Sequence, residues 1–306
     1  LKSIIIYHSC FTSFGGVETF CINLQKELSS KYNITLLSPQ LSTLAFKLDN
    51  AEVINPKQKY QCDYLILATA WGGYPKNITA TKTVQMVHAM YGVEITGWSF
   101  KYNKSDQTTH HVCVGDAVKQ SFEEVTPYKC DAVIYNLLDK NCPIHPKQEN
   151  DKLTLITASR ISREKGFERM LLLSTHLNNE GVKFVWNVYG SINGTYAKYV
   201  IRRAPKNMVF HGYKPDVSKE VSQSDYIVQL SDSEGFPYST YEALQQLTPV
   251  ITTDYPSAKE QVKDGVNGWI LDFDLSDWKK ILENRIILTK FEHKSTLKDW
   301  VKFLEK

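Results

Sequence analysis

No Cys-x-x-Cys pair occurs in this chain, and its six cysteines (Cys10, Cys21, Cys62, Cys113, Cys130 and Cys142) are widely scattered. Structural zinc and dithiol redox chemistry both need thiolates paired at short spacing, so the pattern argues against both. Several of the cysteines fall inside apolar periodic segments, where the plain reading is a buried free thiol. The reducing cytoplasm is then the expected compartment. Long apolar runs are missing too: none approaches the roughly 20 residues that span a bilayer. The start, "LKSIIIYHSC", has only about four apolar residues before it turns polar, and reads as a strand and not a signal peptide. Net charge is low, with 36 basic against 33 acidic residues leaving +3. That is too little to imply a nucleic-acid partner. No period repeats at 20 to 50 residues and no segment is low-complexity, which excludes solenoids and disordered arrays.

What is present is ordinary globular material. A chain of 306 residues, 42% hydrophobic and 23% charged, suits two domains, each with its own core. "SIIIY" (3–7) is a short apolar run of the kind buried on both faces of a parallel sheet. "GGVETFCINLQKELSS" then places Val17, Phe20, Cys21, Leu24 and Leu28 on one helical face. Further strands are expected at 34–38, 63–69, 83–89, 111–115 and 132–136, with a helix over 117–125. The stretch 138–152, rich in charge and carrying two prolines, reads as a linker. Beyond it strands and helices alternate again, from "LTLITAS" to "NGWILDF", and the tail reads as mostly helical, with interruptions near Thr289 and Ser295. The expectation is an α/β protein of two doubly wound, Rossmann-like domains. The domains are placed at 1–140 and 153–290, with a linker at 141–152 and a C-terminal helix at 291–306 packing back on the first domain. In open α/β sheets ligands bind at the C-terminal ends of the strands, so a cleft between the domains is the expected site.

Three loops carry unusual residues. In "SFGGVET" (13–19), Gly15 and Gly16 allow positive φ and close backbone approach at a helix N-terminus, where free N–H groups suit an anion. A plain tight turn fits the same residues. In "ASRISREKGFERML" (158–171), Arg160 and Lys165 bracket a helix start, as a diphosphate site would. A solvated basic turn with Glu164 is the plainer alternative. In "SEGFPYSTYEALQQ" (233–246), Glu234 ends a loop, Gly235-Phe236-Pro237 breaks the chain, and Glu242 lies inside the next helix. Eight residues of continuous helix span about 12 Å, so the two carboxylates suit an elongated ligand with hydroxyls at two separated places. The alternative is that Glu234 favours the helix N-terminus while Glu242 pairs with a lysine.

The string "SDSEGFPYSTYEAL" resembles the E-x7-E signature of the retaining glycosyltransferases of family 4, which have the GT-B fold. The resemblance extends to "SRISREKG", "HGYKPDV", "PVITTDYPSAKEQVKDGVNGWIL", the Gly-Gly of "GGVET" and "HHVCVGDAVKQSF". It is strong over 153–272 and weaker before. The family's "pNGVD" is represented only by "YNLLD" (135–139), with Leu137 in place of glycine. The resemblance implies that Arg160 and Lys165 hold the donor's diphosphate, and that Glu242 accepts hydrogen bonds from ribose hydroxyls. It implies that Glu234, with N–H groups after Gly235 and Phe236, holds the donor sugar, and that Pro237 belongs to the same loop. Gly15 and Gly16 would let the first domain approach the phosphate, and His88 would face the sugar. The implied reaction moves a hexose, UDP-linked by preference, to a hydroxyl of a glycan, lipid-linked or protein acceptor in cell-surface polysaccharide or glycoconjugate synthesis. No cofactor and no metal are expected, since cations can stabilise the departing diphosphate. The lone Asp-x-Asp, Asp272 and Asp274, resembles a structural turn of the family. "WSFKYNK" (98–104) and "YVIRRAPK" (199–206) mix aromatic and basic residues and admit a peripheral contact with the inner face of a membrane, although ordinary solvated surface fits equally. The rival readings are a catalytically silent GT-B partner subunit and a GT-B sugar-nucleotide epimerase or phosphorylase.

Overall fold

The structure is a computed structural model of the chain that describes residues 1–12, 15–41, 50–69, 74–92, 102–140, 142–145, 147 and 151–306. The first two residues of "SFGGVET", residues 98–101 of "WSFKYNK" and parts of 141–152 lie outside the described residues. Among the described residues no helix is long and apolar enough to cross a membrane.

The chain forms two compact units. The first contains β1 (Ser3–His8), α1 (Gly16–Leu28), β2 (Asn33–Ser38), β3 (Ala51–Val53), β4 (Tyr60–Thr69), β5 (Ile78–Val87), β6 (His110–Cys113), α2 (Asp116–Val125) and β7 (Ala132–Val133). Its seven strands lie in the order β3-β2-β1-β4-β5-β6-β7, all parallel. The second unit contains β8 (Leu153–Ala158), α3 (Phe167–Asn179), β9 (Phe184–Tyr189), α4 (Thr195–Arg203), β10 (Met208–Gly212), α5 (Ser218–Gln223), β11 (Tyr226–Gln229), α6 (Tyr238–Gln245), β12 (Val250–Thr253), α7 (Ala258–Gln261), β13 (Gly268–Leu271) and α8 (Lys280–Glu283). Its order is β10-β9-β8-β11-β12-β13, again all parallel. Both are doubly wound sheets in which strand order reverses beside the first strand. The described residues of 141–152 lie with the second unit: Lys147 Nζ donates to the Ser224 carbonyl at 2.8 Å and pairs with Asp225 at 3.0 Å.

Burial explains the strands. Ile4, Ile5 and Ile6 are all buried, as a parallel strand covered on both faces requires. In β8 successive residues serve opposite faces. Leu155 joins a core with Met170, Leu173, Trp186 and Val188, while Ile156 joins one with Ile227, Ala243, Leu244 and Val250. Period-two alternation into two apolar layers is what a sheet between two helix layers demands.

The break in the tail takes in both Thr289 and Ser295 and is longer than two local interruptions. Residues 284–296 are irregular, and the final helix, α9, covers Leu297–Glu305. Tertiary contacts override propensity here. Ile286 packs on one core of the second unit, Leu288 and Phe291 pack on the other, and Arg285 pairs with Asp225. A single helical face could not serve both layers. The Asp299 carboxylate accepts from the Thr296 backbone N–H at 2.6 Å and its hydroxyl at 3.1 Å, which starts α9. α9 belongs to the first unit, burying Trp300 and Leu304. Lys82 Nζ donates to the carbonyls of Phe303 and Leu304, each at 3.1 Å, closing its C-terminus.

Candidate active site

In the second unit, β8 and β11 are the adjacent strands from which the chain departs in opposite directions. The loops after them therefore flank the switch point of that sheet. After β8 come a 3-10 turn over Arg163–Lys165, then Gly166 with φ 71°, then α3. After β11 the loop runs to Pro237, which caps α6 with an extended backbone. The two loops are strapped together. The Asp232 N–H donates to the Glu164 carbonyl at 2.9 Å, Arg169 Nε donates to the Leu230 carbonyl at 2.8 Å, and the Arg169 guanidinium pairs with Asp232.

This strapping brings Lys165 and Glu234 together. Lys165 Nζ lies 2.6 Å from Glu234 Oε1, with the two side chains 17% and 12% exposed. The same oxygen accepts from Gln229 Nε2 at 2.6 Å and Ser231 Oγ at 2.7 Å. Glu234 Oε2 takes no hydrogen bond among the described residues. Ser257 Oγ donates to the Glu234 carbonyl at 2.8 Å, fixing the backbone beneath. An ammonium has three donors and a carboxylate about four acceptor positions. Each group thus has capacity beyond the pair, on an anion for Lys165 and on hydroxyls for Glu234.

Arg160 is largely exposed, and its ion pair is with Glu164, at 3.6 Å. Gly235 and Phe236 are buried, and the Phe236 ring meets Tyr241 edge to face at 4.8 Å. The Pro237 carbonyl accepts from Gln261 Nε2 at 3.0 Å. Glu242 lies in α6 beyond Pro237, exposed, with no ion pair or side-chain hydrogen bond among the described residues, so the lysine partner offered as an alternative is not there. Desolvation pushes its carboxyl up to about 7, and the charge of Asp216 adds to the rise. Water at the exposed carboxylate moderates that effect. The Asp-x-Asp carboxylates serve turns: Asp274 accepts from the Ser276 N–H at 2.9 Å, and Asp272 from its hydroxyl at 3.4 Å.

The first unit has a polar cluster at its own switch point. Register sets His8 of β1 opposite Thr69 of β4, with His8 Nδ1 2.6 Å from Thr69 Oγ1 and His8 Nε2 3.3 Å from Glu18 Oε1. His88 follows β5, its ring edge to face with Phe20 at 4.8 Å and its Nε2 covered and without a hydrogen-bond partner among the described residues. Burial, then the charge of His8, holds it neutral, down at about 3. Gly15 caps α1 with φ −153°, and Gly16 is that helix's first residue. The positive φ expected there is not used, because an extended cap already turns the chain into α1. Sequence reasoning missed Gln229, Ser231, Arg169, Asp232, His8 and Glu18. A signal existed for Gln229, a polar residue closing the otherwise apolar strand "YIVQ".

A model of the family described as "Glycosyl transferases group 1" matches residues 141–296. The chain is 20% identical over 181 residues to the GtfA subunit of UDP-N-acetylglucosamine–peptide N-acetylglucosaminyltransferase from Streptococcus pneumoniae, covering 57% of this chain and 36% of that one. It therefore spans about a third of that relative's length. Among solved structures, Anabaena Alr3699/HepE in complex with UDP and glucose superposes with a TM-score of 0.72 at 16% identity, covering 93% of this chain and 90% of that chain. WaaG, a glycosyltransferase involved in lipopolysaccharide biosynthesis, gives 0.67 at 11% identity, covering 90% of this chain and 88% of that chain. At such identities the likeness is one of fold, and the fold is GT-B.

Proposed function

Because the chain belongs to the group 1 glycosyl transferases, we propose that it moves a hexose from a UDP-sugar to a hydroxyl of a glycan, glycolipid or glycoprotein, with retention of configuration and without a metal, as a member of family 4. The observation that carries this reading is the Lys165–Glu234 pair at the switch point of the second sheet. Lys165, held by Glu234 through one N–H, keeps two donors for a diphosphate. Negative charge grows on that diphosphate as the sugar leaves, and a cation fixed beforehand stabilises the transition state more than the ground state. Arg160, exposed on the same loop, adds positive charge at the phosphates. Glu234 Oε2 accepts from a sugar hydroxyl and Glu242 from the ribose hydroxyls. With Glu234 so engaged, a front-face displacement assisted by the leaving phosphate is the proposed route. Gly15, Gly16 and His88 take the roles that the family resemblance gives them. The choice of uridine is supported by the fold neighbour whose structure contains UDP and glucose.

A second reading is a silent partner subunit, favoured by the word "subunit" in the name of the Streptococcus pneumoniae relative. Calorimetry against UDP- and GDP-sugars without metal separates the two. Binding of one donor, weakened at least ~10-fold, about 1.4 kcal/mol, in both Lys165→Ala and Glu242→Ala, supports the transferase. A folded wild type that binds no donor leaves the partner reading standing.

A further inference from the structure

Gln229 is 2% exposed at the end of β11, whose other residues, Tyr226, Ile227 and Val228, are apolar and buried. A buried amide carries a desolvation cost unless both its ends are bonded, and a leucine would fill the same space without that cost. Both ends are bonded here, and in one direction. Ser239 Oγ, from the first turn of α6, donates to Gln229 Oε1, and Gln229 Nε2 donates to Glu234 Oε1 at 2.6 Å. The reversed amide would set a carbonyl oxygen against the carboxylate and leave the Ser239 hydroxyl facing an amide N–H, so the charge of Glu234 fixes the orientation. The strand beneath is equally fixed, with Thr252 Oγ1 donating to the Gln229 carbonyl at 2.9 Å and Thr253 Oγ1 to the Ser231 carbonyl at 2.5 Å.

We propose that Gln229, oriented by Ser239, is a positioning residue that holds the Glu234 carboxylate, and through it Lys165, in the arrangement that takes the sugar diphosphate. The inference rests on the donor-site reading above. It assigns the two carboxylate oxygens different work: Oε1 is saturated by Lys165, Gln229 and Ser231, and Oε2 is presented to the ligand at a fixed angle. Without the amide the carboxylate turns about its terminal torsion, a soft coordinate for glutamate, and its sugar contact is lost before the nucleotide contact.

The test compares affinities for UDP and for UDP-glucose, UDP-galactose and UDP-N-acetylglucosamine by calorimetry in the wild type, Gln229→Leu, Ser239→Ala and Ser239→Thr. The readout is the ratio of the affinity for the preferred UDP-sugar to that for UDP, which a loss of general stability does not move. The ratio is expected to fall at least ~10-fold in Gln229→Leu, which loses a hydrogen bond to a charged group, and about 5-fold in Ser239→Ala, which loses a neutral one, and to survive in Ser239→Thr, which keeps the hydroxyl. If Gln229→Leu does not fold, the Ser239 pair decides. Unchanged ratios, or equal losses in Ser239→Ala and Ser239→Thr, overturn the proposal while leaving the donor reading intact. A folded wild type that binds neither UDP nor any UDP-sugar overturns both.

Discussion

Gly166 stands so close to Leu230 that a Cβ at position 166 would lie 1.7 Å from the Leu230 carbonyl oxygen. The same oxygen accepts from Arg169 Nε, so it cannot move aside without breaking the strap between the two loops. Gly166 also has φ 71°, in the left-handed region. Both the conformation and the space therefore require glycine here.

Gly166→Ala is accordingly expected to cost ~3 kcal/mol or more, beyond the 1–3 kcal/mol of left-handed strain alone, and to weaken UDP-sugar binding by separating Lys165 from Glu234. Gly181→Ala is the control. Its φ is also 71°, but nothing lies within 4 Å of the added Cβ, so it should show the strain without the clash and keep wild-type binding. Thermal unfolding with UDP-sugar titration checks both, and equal behaviour of the two variants would refute the close-approach argument.

Glu242 gives a prediction in pH. Its carboxyl is raised to about 7 from an unfolded value near 4.5, so between these the native state holds a proton that the unfolded state has released. Stability from this group is fully present below the unfolded value and is lost as pH rises toward 7. Glu242→Gln should therefore gain thermal stability relative to the wild type at pH 8 and show little difference at pH 4.5, with the gain moderated by water at the exposed carboxylate. Nucleotide affinity should run the other way in the wild type, strengthening from pH 6 to pH 8 as the carboxylate becomes the better acceptor for ribose hydroxyls. Affinity that is flat across that range would separate Glu242 from the nucleotide.

The sheets were legible in the sequence because parallel strands leave a local mark: Ile4, Ile5 and Ile6 form an unbroken apolar run, and all are buried. The loop-to-helix break at Pro237 was legible for the same reason, since proline acts on its own neighbours. The exposed edge strand Ala51–Val53 left no such mark, with no residue fully buried. The Lys165–Glu234 contact joins residues 69 positions apart, and only the sheet order sets their loops side by side. Sequence spacing suggested a diphosphate site at Lys165 and the family resemblance a sugar contact at Glu234, and neither gave a hint that each is also the other's partner. The tail breaks over a longer stretch than two local interruptions because Ile286 serves one core while Leu288 and Phe291 serve the other.

His88 offers a second pH test, of opposite sign. Burial holds it neutral, at about 3, while an unfolded histidine titrates near 6.5. Below pH 6.5 the unfolded state gains a proton that the native state refuses. The stability present above 6.5 is then lost as pH falls, by at most about 1.4 kcal/mol per pH unit. His88→Phe, which keeps a ring against Phe20, should flatten this acid slope by one proton in urea titrations at pH 7, 6 and 5. If His88 also serves the reaction as the family resemblance implies, the same variant loses turnover at pH 7.5 without losing stability there.

The docking of α9 on the first unit separates apolar burial from surface charge. Trp300 is fully buried, 6.2 Å from Phe20 between ring centroids, and removing such a side chain typically costs ~3–5 kcal/mol. Glu305, on the same helix, makes a 2.7 Å pair with Lys2, but the two side chains are 42% and 49% exposed. Exposed pairs contribute ~0–1 kcal/mol, because water screens the charges and ordering two flexible side chains offsets the attraction. Trp300→Ala should therefore lower the unfolding temperature of the first unit, whereas Glu305→Gln should not do so to a comparable degree. Tyr32 complicates the second variant, since its hydroxyl donates to Glu305 Oε1 at 2.7 Å. The amide keeps an acceptor for Tyr32 while removing the charge, so what the variant removes is the ion pair alone. A large effect of Glu305→Gln with a small effect of Trp300→Ala would mean that charge, and not the buried indole, holds the helix in place.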